Sequence, residues 1–265
     1  MNEKVKELLK SEKYDFLRTN KNLGDNIILL VVSGSHAYGL DTPESDLDIR
    51  GIAVENEETL FGLGHFEQYE DKETDTVIYS LRKFIQLTMK GSPNMLELLF
   101  VRPEDVLYAS EEGKFLLENR DLFLSKKIYH TIRGFTKNSI HRMEKYAETS
   151  TKRASKSAMH LVRLYLTGIE VLRTGRYQVY QDENIPMLKG IRNGRYIDDG
   201  KIAVRFYDYL ENFERSLTDA YEYSSLPDSV DQEAISHVQA LILRHRHAAK
   251  LASIVLGVEV GELHE

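Results

Sequence analysis

Asp46 and Asp48 stand at i and i+2 in Ser45-Asp46-Leu47-Asp48-Ile49-Arg50-Gly51. Strand side chains alternate faces, so in extended backbone both carboxylates project from one side, and Leu47 and Ile49 from the other. Like charges held that close are costly unless a cation neutralises them. Hard divalent ions such as Mg²⁺ take carboxylate oxygens and substrate phosphates together. Ten residues separate this pair from Gly34-Ser35 upstream. Gly34 permits a tight turn and close approach to a ligand. The Ser35 hydroxyl and the amides around it suit an anion-binding nest for a triphosphate. One side of such a cleft would hold phosphates, the other metal.

The elements that must position these groups are short. Ile27 to Val32 is an apolar run that reads as a buried strand ending at Gly34-Ser35. Asp41-Thr42-Pro43-Glu44 carries turn chemistry. A second strand then holds the aspartates and runs on to Val54.

Gly-Ser, a ten-residue spacer and Asp-x-Asp between apolar residues resembles the signature of the DNA polymerase β-like nucleotidyltransferase superfamily. The longer string Gly34-Ser35-His36-Ala37-Tyr38-Gly39-Leu40, then Thr42-Pro43 and Ser45-Asp46-Leu47-Asp48, is similar to the RlaP-like branch of bacterial and phage nucleotidyltransferases associated with RNA repair. A lone Asp-x-Asp occurs on many exposed strands; the strand, Gly-Ser, spacer, Asp-x-Asp order is far more specific. The resemblance implies an α+β fold: a nucleotidyltransferase-type mixed sheet with flanking helices over residues 1–125, followed by an all-helical nucleotide- or acceptor-binding domain over residues 126–265.

The resemblance also implies a third carboxylate on a strand beside the acidic pair, with a helix soon after. Asp75 opens the strand pattern Asp75-Thr76-Val77-Ile78-Tyr79-Ser80, which leads into a helix over Leu81–Met89. Asp75 would complete the metal cage and help deprotonate an attacking hydroxyl; the plainer alternative is a strand-start aspartate facing solvent. Glu97, inside the apolar run Met95–Val101 (a fourth strand or a short helix), is the fallback third ligand. Its other reading is a carboxylate paired with a local Arg or Lys, because an apolar run does not bury an acid alone.

Past Pro103 the pattern reads as helical to the end, with helices over Lys126–Glu148, Arg153–Thr174, Ile202–Tyr223 and from Ser229 to Leu256. Residues 2–18 read as one amphipathic helix, and Glu55 to Thr74 as a long acidic connection, either a flap over the cleft or a surface loop. On the helix from Arg153, Lys156, His160, Arg163 and Thr167 fall within roughly 60° of one another, opposite the stripe of Ala158, Leu161, Tyr165, Ile169 and Leu172. They read as a basic ridge facing away from the helix's main packing: a solvated face, or, as the resemblance implies, contacts to triphosphate or acceptor phosphate. Lys189, Arg192 and Arg195, in a glycine-punctuated loop, would extend that surface or serve as a plain basic loop. His36 and Tyr38 beside the Gly-Ser turn would contact phosphate or sugar, and Tyr38 has the alternative of packing beneath the turn. His141, His160 and Arg244-His245-Arg246-His247 lack the closed spacing of a zinc set.

Composition sets the outer bounds. Of 265 residues, 42% are hydrophobic and 29% charged, ordinary for a globular protein. Without cysteine the chain has no disulfide framework and no thiolate nucleophile, which fits a cytoplasmic setting. The N-terminus is too polar for a signal peptide, and no apolar run is long enough to span a bilayer. The net charge of −7 hides a segregation. Residues 1–125 carry 14 Lys/Arg against 24 Asp/Glu, residues 126–176 carry 12 against 3, and residues 177–265 carry 9 against 15. A basic middle between acidic flanks points to a local anion site rather than a nucleic-acid coat.

The expectation is therefore nucleotidyl transfer from an NTP, with ATP the first choice, assisted by two Mg²⁺ ions, Mn²⁺ being the alternative. Asp46, Asp48 and Asp75 hold metal; Gly34, Ser35, His36, Lys156, His160 and Arg163 hold nucleotide. The acceptor implied first is an RNA 3′ end, tRNA in particular. A protein hydroxyl, a small-molecule hydroxyl and a non-catalytic nucleotide sensor remain as alternatives. Oligomeric state is not legible.

Overall fold

Ile27–Val32 forms a strand buried along its length, β1 (Ile27–Ser33), at the heart of a five-stranded sheet. The computed structural model describes residues 2–256, with side chains for residues 3–248. The other strands are β2 (Asp48–Ala53), β3 (Gln68–Asp71), β4 (Thr76–Ser80) and β5 (Val106–Ala109), in the order β3-β4-β2-β1-β5. β2 and β4 run parallel, and every other neighbouring pair is antiparallel.

Around the sheet lie α1 (Asn2–Leu9), α2 (Phe16–Thr19), α3 (Gly34–Tyr38), α4 (Glu57–Leu60), α5 (Leu81–Thr88), α6 (Pro93–Phe100) and α7 (Glu111–Glu118). Then follow α8 (Lys127–Ala147), α9 (Thr151–Thr174), α10 (Ile185–Arg192), α11 (Val204–Glu222) and α12 (Gln232–Leu256). The α+β expectation holds: a mixed sheet with flanking helices, then a helical region. No helix among the described residues is long and apolar enough to cross a membrane.

Each face of the sheet has its own apolar cluster. Leu30, Val32, Ile49 and Ile78 pack with Val5 and Leu17 from the N-terminal helices. On the other face Leu29, Val31 and Ile52 join Phe84, Leu96 and Leu99, and the same cluster continues through Ile132, Leu161 and Phe206. The apolar core is thus continuous across residues 125 and 126, where the catalytic and helical parts were expected to divide.

Several elements differ from the sequence expectation for local reasons. The helix expected over 2–18 is two short helices separated by a 3-10 turn, because Ser11 bonds back to the Leu8 carbonyl and ends the first. The acidic connection of residues 55–74 is neither flap nor loop throughout: β3 in its second half forms a hairpin with β4. Met95–Val101 resolves as the helix α6, started by Pro93 in its first turn. The chain after Pro103 is not wholly helical, since β5 pairs with β1 and buries Leu107. Four residues between acidic flanks were too few to show a strand period. Residues 188–195, expected as a loop, supply most of α10.

The α9 ridge is the main correction. Lys156 is exposed and His160 half-buried, but Arg163 and Thr167 are buried at 4% and 1% exposure. The helix is wrapped by α8, α10 and α11, and Arg163 bonds to Glu97 on α6, so the middle of the face opposite its apolar stripe is interior as well. Its N-terminal end, with Lys156, reaches solvent.

Candidate active site

The first half of the site is made where β1 turns into α3. Ser33 pairs with Asp48 in the antiparallel register, so the end of one strand meets the beginning of the next. Gly34 takes φ +63, and a Cβ there would sit 1.7 Å from Asp48 Oδ2. The carboxylate therefore lies directly against the turn, where only glycine leaves room. Ser35 and His36 follow in the first turn of α3, both half-buried. His36 Nδ1 is buried without a hydrogen-bond partner, 3.6 Å from Asp41 Oδ2.

The parallel register of β2 and β4 makes the other half. Ile49 aligns with Thr76, and the Ile49 amide donates to the Asp75 carbonyl at 3.2 Å. Asp75 therefore comes alongside Asp48. The hairpin turn before it fixes its backbone: the Thr74 amide donates to Asp71 Oδ1 at 2.8 Å, holding the turn closed, and Asp75 then takes φ +48. Aspartate tolerates this left-handed region better than most residues.

Asp48 and Asp75 are close enough to share a proton. Burial, then the hydrogen bond to Asp75, then the Asp75 charge push the Asp48 carboxyl up to about 6. The same hydrogen bond holds Asp75 below the usual carboxylate range, against burial and with help from Arg50 and Lys156. Arg50 Nη2 stands 3.0 Å from Asp75 Oδ1 and 3.7 Å from Asp48 Oδ1. Arg50 Nη1 donates to the Asp75 carbonyl and, at 2.9 Å, to the Ile49 carbonyl. Asp46 is exposed and precedes the strand. Among the described residues no three acidic or histidine groups converge as a ready-made metal cage.

The two paired carboxylates nevertheless fit a hard cation. They are oxygen donors, Asp48 half-buried and Asp75 exposed, and mutually repelling, and a proton or a cation is what reconciles them. Arg50 supplies part of that positive charge. Alternation along Asp46-x-Asp48-x-Arg50 places Arg50 on the carboxylate face, a signal present in the sequence beside the acids.

Cations from the helical region act on these groups. Lys156 draws down both Asp48 and Asp75. Burial, followed by the charges of Arg163, Lys156, Arg192 and Arg142, lowers His160 to about 3, so its imidazole is neutral at physiological pH. Arg163 Nη1 donates to Glu97 Oε1 at 2.7 Å, and its guanidinium lies 3.7 Å from the Tyr38 ring centre. The Tyr38 hydroxyl donates to Glu97 Oε2 at 2.6 Å. Glu97 does pair with an arginine, but one 66 positions along the chain rather than a local one. Tyr38 packs beneath the turn. Its carbonyl accepts from the Gln181 amide at 3.2 Å, and the Leu40 carbonyl accepts from Arg192 Nη1. The segment from Tyr38 to Leu40 is gripped from the helical region.

A glycine-bearing turn under one member of an acidic pair, followed by a gripping helical segment, is the arrangement expected of polymerase β-like proteins. Residues 2–192 match the model of the RNA repair pathway DNA polymerase beta family, RlaP. The chain belongs to that family. Three relatives share parts of it. The uncharacterized protein MJ0002 of Methanocaldococcus jannaschii is 25% identical over 227 residues, covering 78% of this chain and 89% of that protein. An uncharacterized 38.9 kDa protein from the nrdC-mobD intergenic region of enterobacteria phage T4 is 33% identical over 104 residues. The uncharacterized protein YcgL of Bacillus subtilis is 30% identical over 95 residues. The phage match spans 31% and the YcgL match 35% of those proteins' lengths. RlaP membership makes the chain DNA polymerase β-like and associates it with RNA repair.

Proposed function

We propose that this RlaP-family protein transfers a nucleoside monophosphate from an NTP, ATP first, to the 3′ hydroxyl of an RNA acceptor, tRNA being the first candidate. The single observation that supports this most is the β2–β4 register, which sets Asp75 against Asp48 while Asp48 rests on the Gly34 turn. Nucleotide and metal would meet at that point.

Asp48 and Asp75, joined by Asp46 at the strand entrance, would hold two Mg²⁺ ions, with Mn²⁺ as substitute. When bound, the metal supplies charge neutralisation on the attacking and departing oxygens. The remaining work falls to the chain's own groups. Ser35 and the amides beside it would bind the β- and γ-phosphates, with His36 at their edge. Lys156 and neutral His160 would face the triphosphate from the opposite wall, one as a point charge and the other as a hydrogen-bond partner. Arg163 is assigned away from phosphate: buried between Glu97 and Tyr38, it positions the turn that carries Ser35.

The acceptor oxygen forms a new ester bond to the α-phosphorus, and the bond from that phosphorus to the bridging oxygen breaks, releasing pyrophosphate. Asp75, ionised and half-exposed, would take the hydroxyl proton. Holding the reactants in line is the protein's main contribution.

The test is incubation with α-labelled ATP and Mg²⁺ in the presence of either total RNA or lysate protein. The expected result is label on RNA, absent with the Asp46→Asn/Asp48→Asn double variant. Full turnover in that variant would end the mechanism; label on protein alone would replace the acceptor.

A further inference from the structure

The α8–α9 hairpin carries two kinds of charge. Toward the start of α8, two of its cations are paired: Lys126 lies 3.5 Å from Asp228, and Arg133 2.5 Å from Glu214. Lys137, Arg142 and Lys145 on α8, and Lys152, Arg153 and Lys156 on α9, are all exposed. None of the six has a carboxylate partner among the described residues.

Residues 126–176 hold only three acids. Glu144 is engaged by the Tyr207 hydroxyl at 3.0 Å, and Glu170 bonds to Thr174 at the far end of α9. That leaves Glu148 as the acid at the tip.

This placement works against helix stability. Arg142 and Lys145, Arg153 and Lys156, and Lys152 and Lys156 are like-charged neighbours at i,i+3 or i,i+4, where such pairs are destabilising. The three α9 cations also sit in its first turns, at the positive end of the helix dipole. A face kept soluble by charge normally mixes signs. A face that concentrates one sign, against both local penalties, is suited to a polyanion.

The patch spans about 12 Å along α8 alone, from Lys137 to Lys145, beyond what one triphosphate needs. It also has an aromatic member: the Arg153 guanidinium lies 5.9 Å from the centre of the half-buried Tyr146 ring, a pairing able to stack against an unpaired base. Lys156, an exposed member of this patch on α9, is also the cation whose charge is felt by Asp48 and Asp75, and one turn on His160 meets the Tyr38 ring edge-on at 6.2 Å, which ties this end of α9 to the Gly34 turn.

We infer that the tip of the α8–α9 hairpin is the docking surface for the phosphate backbone of an RNA acceptor, with Lys145, Lys152 and Arg153 as its principal contacts. The inference rests on the proposed transfer reaction only for the direction in which the strand's end is delivered.

The test is fluorescence anisotropy of the full chain with a 5′-labelled RNA hairpin bearing a single-stranded 3′ overhang, without NTP or divalent ion, over a salt series. The Lys145→Gln/Lys152→Gln/Arg153→Gln variant should bind RNA at least about tenfold more weakly at low salt, with its salt slope reduced by about 2 to 3. Its ATP affinity, measured separately by calorimetry, should match the wild type. Unchanged RNA affinity and slope would overturn the surface. Equal competition by polyglutamate would reassign it to an acidic protein, and equal binding of same-sequence DNA would overturn the RNA assignment. Loss of RNA binding in the variant, together with no ATP binding by either protein, would sink the transfer reading and leave the surface standing.

Discussion

Gly34 and Asp48 occupy each other's only available space: a methyl group on Gly34 would lie within bonding distance of the Asp48 carboxylate, at 1.7 Å. Sequence distance hides this contact, since Gly34 opens α3 and Asp48 opens β2. It follows that Gly34→Ala acts on the aspartate rather than on the turn alone. The substitution also places alanine at φ +63, which costs about 1–3 kcal/mol. We expect a lower Tm and, because Asp48 must move by an ångström or more, a loss of transfer of about a hundredfold or greater. Parallel thermal melts and transfer assays check both; an active Gly34→Ala protein would mean that Asp48 is not where the chemistry happens.

Asp48 ties activity to stability in opposite directions. Its carboxyl, at about 6, lies above the 3.8 of an unperturbed aspartate, so the folded cation-free protein binds that proton more tightly than the unfolded chain. The stability so contributed is complete below about pH 4 and is lost as pH rises through about 6. Asp48→Asn should therefore melt higher than wild type at neutral pH without divalent ions, while losing all transfer. Scanning calorimetry of both proteins decides it.

The same carboxyl predicts a pH dependence for metal. A divalent ion competes with the proton that Asp48 and Asp75 share. The rise in Tm on adding Mg²⁺ or Mn²⁺ should be larger at about pH 7.5 than at about pH 5, where the proton is held. It should vanish in Asp48→Asn/Asp75→Asn. An equal shift at both pH values would place the ion elsewhere.

Arg50 stands between the two carboxylates, and its removal should split binding from turnover. Arg50→Gln removes the nearest competing positive charge, so Mn²⁺ affinity, followed by electron paramagnetic resonance, should rise. Transfer should nonetheless fall, because Asp75 loses the guanidinium that clamps both its carboxylate and its carbonyl. Parallel loss of both would make Arg50 a structural residue only.

Arg163 is tested through its partners. Arg163→Met leaves Glu97 buried without its counter-charge, held only by the Tyr38 hydroxyl, which costs about 3–5 kcal/mol. Adding Glu97→Leu should return part of that loss. Denaturant titration of the single and double variants measures it; a single variant of wild-type stability with weakened ATP binding would return Arg163 to the phosphate site.

The local chemistry of this protein is written in short stretches. Gly34-Ser35, the aspartates at alternate positions and the buried strand before them could be read because each depends on a period of two or on one turn. The long helices were legible for the same reason: their stripes repeat over many turns. β5 was not, since Val106–Ala109 is too short for any period to show, and it became a strand only because β1 had a free edge.

What only the tertiary structure decided is which faces are inside. By angle alone, Arg163 stands on the polar side of α9; the folded chain surrounds that helix, and the polar side becomes an interior ion pair with Glu97. Asp75 was named from its place in a pattern, but the parallel alignment with β2 is what brings it to Asp48. Periodicity reports the direction in which a side chain leaves its own backbone. Whether that direction meets water, an opposite charge or another acid depends on segments dozens of residues away, and no local rule contains them.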